Sequence, residues 1–165
     1  MIRSLAALPL ALLLAAAAPA PATAPAGTPV HMHAQPGTEL DRAVRALVAQ
    51  DLAEAARTGE EPLLLIGSAR LGRPSDPAAI FVQLQSPREC GSAGCNTAVY
   101  VRGREGWRKV LDSVSGVLQV AGTRTRGMRD LLAGTERYVW NGAAYVDARP
   151  APQVDLKPAG RTRGH

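Results

Sequence analysis

From Glu61 to Asp147 the chain is divided by glycine, proline, serine and aspartate into short apolar or alternating runs, a pattern that permits strands and excludes long helices. Residues 63–67 and 80–85 predict strands, and in the second Ile80, Val82 and Leu84 alternate with Phe81, Gln83 and Gln85. Residues 96–102 and 107–114 are joined by Gly103-Arg104-Glu105-Gly106, a tight hairpin connection. Residues 117–121 follow through Gly116, and 130–133 form a shorter candidate. Residues 137–140 and 143–147 bracket Asn141-Gly142, where both turn positions need positive φ and this dipeptide tolerates it. Consecutive strands with such short turns predict an antiparallel meander of about six or seven strands.

One helix precedes them. Thr38 is placed to cap it, Asp41 follows at the third helical position, and Gly59 is placed to end it. Leu40, Val44, Leu47, Val48 and Leu52 share one face, with Arg42, Arg45, Asp51 and Glu54 on the rest. An amphipathic helix packed on an antiparallel sheet is an α+β domain, expected over 37–148.

The ends have a different character. Met1-Ile2-Arg3, an apolar run over 5–18 and the Ala/Pro stretch after it match the three regions of a secretory signal peptide over 1–22, with cleavage at Ala20-Pro21-Ala22 before Thr23. The run is too short to span a bilayer of ~30 Å, so no membrane span is expected after cleavage. Residues 23–36 carry Pro, Ala and Gly without periodicity and are expected to be a disordered leader; 149–165 are expected to be a disordered basic tail. Removing Arg3 and that tail brings the formal charge of +5 close to neutrality, which argues against a nucleic-acid partner. The expected location is periplasmic or secreted.

An even cysteine count in an exported chain favours a disulfide between Cys90 and Cys95, and Gly91 and Gly94 let the intervening loop bend. A redox-active pair is the alternative, although four intervening residues differ from the two of thioredoxin-like sites. His31 and His33 could ligate copper or zinc, but two imidazoles form an incomplete site; no metal site and no cofactor are assigned. With His31, His33 and His165 all in expected disordered ends, no Ser-His or Cys-His dyad is expected on the domain. Asp112, Asp130, Glu105 and Glu136 form no recognisable catalytic pair. Arg124, Arg126 and Arg129, with Arg102, Arg104 and Arg108 on the preceding hairpin, are candidates for receiving phosphate or carboxylate groups of an envelope component or a partner protein. Their alternative is a set of solvated turn residues.

Cys90-Gly-Ser-Ala-Gly-Cys95, Gly106-Trp107, Gly127-Met-Arg-Asp130-Leu131 and Trp140-Asn141-Gly142-x-x-Tyr145 together resemble a group of uncharacterised exported proteobacterial proteins. The likeness covers residues 80–147. It implies a compact β-rich domain with a disulfide and implies no activity. The functional expectation is therefore a non-enzymatic periplasmic binding or interaction module. The alternatives are a small periplasmic enzyme and a copper- or zinc-handling protein.

Overall fold

A computed structural model of the chain describes residues 27–149; the expected signal peptide over 1–22 and the tail beyond residue 149 lie outside the described residues. Among the described residues the fold is α+β, with ten strands in two sheets and two short helices, so the single meander of six or seven strands is corrected. The first sheet contains β1 (Gly27–Pro29), β7 (Leu118–Thr125), β8 (Met128–Ala133), β9 (Glu136–Trp140) and β10 (Tyr145–Asp147), hydrogen-bonded in that order. The second runs β2 (Leu63–Ala69), β3 (Ala79–Gln85) and β5 (Gly94–Gly103), with β4 (Cys90–Gly91) and β6 (Gly106–Ser115) both paired to β5. Every pairing is antiparallel.

Strand alternation gives the second sheet two apolar faces. Ala79, Phe81 and Val99 point to the first sheet, where they pack with Leu118, Val120, Leu131, Trp140 and Tyr145. Ile80, Val82 and Tyr100 point the other way and join Leu64 and Ile66 under the helices. The molecule thus has three layers, with the second sheet in the middle. Bulges adjust the outermost strand of that sheet: opposite Val99 and Tyr100 stand Leu111 and Lys109, so Val110 is extra and both Val110 and Leu111 reach the core. Ser113, with φ 46, occupies the second irregularity.

The single helix expected from Thr38 to Gly59 is two, α1 (Glu39–Leu47) and α2 (Ala49–Arg57), meeting at Val48. The expected face remains the buried one, with Val44 and Val48 in the core and Leu40, Leu47 and Leu52 against it. Thr38 Oγ1 accepts from Asp41 N at 3.0 Å, and Asp41 accepts in return from Gly37 N at 3.2 Å. No helix among the described residues is long and apolar enough to cross a membrane.

The largest correction concerns the leader. Residues 27–35, expected to be disordered, form a strap between the sheets. Gly27, Thr28 and Pro29 pair with Ala121, Val120 and Gln119, and Val30 N donates to Leu118 O at 3.0 Å. The chain then crosses to the second sheet, where His33 and Ile66 exchange backbone hydrogen bonds at 3.0 and 3.2 Å. Pro29 is tolerated because β1 is an edge strand. A three-residue strand is too short to show a period, and this one owes its place to partners more than thirty residues away.

Candidate functional site

The strap forms one wall of a groove that brings four of the candidate residues, Arg124, Arg129, His31 and His33, together. Its opposite walls are the end of β2 with the following loop and the β7–β8 ribbon, and the space between them is about 630 Å³. Arg70, Arg124, Arg129, His31 and His33 line it, and no Asp or Glu does. Neutral groups at its edge include Thr28, Ser68 and Pro74.

Each arginine is positioned by backbone geometry. The β7–β8 turn passes through Arg126 at φ 50 and Gly127 at φ 86, which places Arg124 opposite Arg129 in the ribbon. Arg124 Nη1 donates to Leu71 O, Gly72 O and Gly127 O at 3.2, 3.1 and 2.9 Å, clamping the β2 loop to the ribbon. The Arg129 backbone is held on both sides: its N–H donates to Leu71 O at 2.8 Å, and its carbonyl accepts from the Tyr145 hydroxyl at 2.6 Å. Burial, with the Asp130 charge adding to it, pushes that phenol well above its usual range and keeps it a donor. Arg70 donates to Pro74 O and remains exposed.

Behind the groove, Asp130 is fully buried. Thr123 Oγ1 donates to it at 2.5 Å and Arg137 Nη2 at 2.7 Å. Burial alone would raise the carboxyl, but hydrogen bonds from Thr123, Thr125 and Arg137 outweigh it and hold Asp130 below the usual carboxylate range. Asp130 is thus a structural anchor of the ribbon rather than a free acid.

The structure divides the six expected arginines. Arg124 and Arg129 are in the groove. Arg126 and Arg108 both serve the Asn141–Gly142 turn: Arg126 donates to Asn141 O at 2.9 Å, and Arg108 donates to Ala143 O while lying 5.8 Å over the Trp140 ring. Arg102 stacks 5.5 Å over Trp107, and Arg104 is exposed in the hairpin tip. Cys90 and Cys95 form the disulfide, as directly opposed residues of the β4–β5 hairpin. His31 and His33 are on the ordered strap, which corrects their expected disorder. Among the described residues no cluster of three or more His, Cys, Asp or Glu side chains could hold a metal ion.

No family model, curated protein or solved structure matches the chain. The chemistry of the groove therefore rests on its own residues. Three permanently charged guanidiniums and two imidazoles, with no carboxylate among the lining residues, are groups that can pair with anions. Ser68 shares the groove with both histidines, yet no carboxylate lines it to orient an imidazole, so the third member of a nucleophilic triad is missing. Sequence reasoning missed Arg70, whose strand end carries no signal of the strap and ribbon that face it.

Proposed function

We propose that this is an exported, non-enzymatic binding module whose strap-side groove receives acidic groups, carboxylate or phosphate, of an envelope component or partner protein. The observation that carries the reading is the composition of the groove: Arg70, Arg124, Arg129, His31 and His33 converge without one counter-charge among the lining residues. Export is supported by the signal-like N-terminus and by a disulfide that suits an oxidising compartment. The metal-handling alternative has only the two imidazoles of His31 and His33 in the groove, and no third ligand among the described residues.

Fluorescence anisotropy of labelled polyglutamate and polyphosphate with the mature protein tests this reading. Binding is expected to weaken between 50 and 500 mM salt, roughly as charge pairing at a groove demands. Replacing Arg70 and Arg129 by serine should lower it at least about tenfold, the loss of two charge-assisted contacts. Salt-independent binding, or equal binding by the double variant, overturns the reading.

A further inference from the structure

The strap wall of the groove carries two imidazoles side by side. Extended backbone alternates its side chains, so His31 and His33 share one face of the strap, and both line the groove. Met32, between them, packs against the core between the sheets. The backbone is pinned on either side of His31: Val30 N donates to Leu118 O, and His33 exchanges hydrogen bonds with Ile66. Gly67 lies so close behind that a Cβ there would stand 2.8 Å from His31 O. The fold therefore fixes where both imidazoles start.

The charged groups facing them are cationic. Arg70 follows β2, Arg124 is on β7 and Arg129 on β8, and all three line the same groove. On its other side His31 borders a space of about 550 Å³, whose lining residues include Gln83, Gln85 and the disulfide-bonded Cys95 and no further ionisable side chain. Glu39, Asp41, Asp76 and Asp130 are not among the groove's lining residues. Asp41 pairs with Arg45 at 3.1 Å, Asp76 accepts from Arg73 N at 2.8 Å, and Asp130 is buried against Arg137. With no carboxylate in the lining, the counter-charge for a protonated imidazole comes from a bound anion.

We infer that protonation of His31 and His33 gates the groove, which captures acidic groups as pH falls and releases them as pH rises. This rests on the anion-receiving reading above and adds its regulation. Imidazole is the side chain that changes charge between about pH 5 and 8, whereas guanidinium stays charged throughout. By linkage, protonated imidazoles tighten the hold on the anion and the anion favours the protonated imidazoles, so binding takes up protons.

Fluorescence anisotropy of labelled dextran sulfate with the mature protein tests the gate, at fixed ionic strength between about pH 5.5 and 8, where imidazole titrates. Sulfate esters stay ionised over this range, so a change in affinity reports on the protein. The parent is expected to bind about tenfold more tightly at the acid end, the scale of one added charge-assisted hydrogen bond. Both histidines are exposed, so the double variant His31→Gln/His33→Gln should keep the fold. It retains His165 and every arginine, and its affinity should change little across the range. Calorimetry in two buffers of different ionisation enthalpy should show proton uptake on binding by the parent and its loss in the variant. A flat profile in the parent, or equal tightening in the variant, overturns the gate and leaves the groove a binding site. Absence of binding at every pH overturns the anion-receiving reading and the gate with it.

Discussion

Gly67 shows how one residue seats the wall of the groove. A Cβ built there would stand 2.7 Å from Met32 Sδ, 2.8 Å from His31 O and 2.8 Å from Val30 Cγ1. The thioether could give way, but the carbonyl is backbone. Gly67→Ala should therefore displace the strap and cost about 1–3 kcal/mol, the range for overpacking a filled site. Urea unfolding reads it, and an unchanged midpoint would show that the strap is not closely packed. Asp130 acts at the same scale through charge. Its native carboxyl is held below the unfolded value, so the unfolded chain takes up the proton first as pH falls. The stabilisation is complete above about pH 4 and is lost as pH drops through the lower native value. Asp130→Asn should cost about 2 kcal/mol at neutral pH, the scale of charged hydrogen bonds. Thermal melts between pH 2 and 7 should also show a weaker acid decline in the variant than in the parent; equal declines would assign the acid limb elsewhere.

At the scale of elements, legibility followed the length over which a pattern repeats. The helix face Leu40, Val44, Leu47, Val48, Leu52 could be read because it spans several turns, whereas the break at Val48 leaves that face intact and so leaves no mark on the pattern. Strands β3, β5 and β6 alternate or carry their own turns and were legible within a few residues. The division into two sheets was not, because hairpin turns join neighbours without saying where a sheet ends. The strap was hidden for a different reason: its hydrogen bonds go to Leu118 and Ile66, and its local composition matches a linker. The cysteine pair was legible from spacing and compartment. Its hairpin is peripheral, since neither Cys90 nor Cys95 belongs to either core cluster. Replacing both with serine should cost about 2 kcal/mol by the loop-entropy argument, with far-ultraviolet circular dichroism unchanged. Loss of the β spectrum would make the bridge essential to the fold.

At the scale of the whole molecule, the three layers separate two chemistries. The strap side gathers guanidiniums and imidazoles between the sheets, and the helix side gathers carboxylates over the middle sheet. The sequence suggested six arginines as one anion-binding group. Only Arg124 and Arg129 serve the groove, because the Asn141–Gly142 turn takes Arg108 and Arg126 as hydrogen-bond donors. Arg70 and the histidines replace them from elements distant in sequence, a convergence that only the fold creates. On the proposed reading this groove, and not the hairpin arginines, receives acidic groups. Amide chemical-shift mapping of the mature protein during a polyglutamate titration tests it most directly. Shifts should concentrate at residues 28–33, 68–74 and 124–129 and vanish in the Arg70/Arg129 double serine variant. Shifts centred on Arg102, Arg104 and Arg108, or unchanged in that variant, would contradict it.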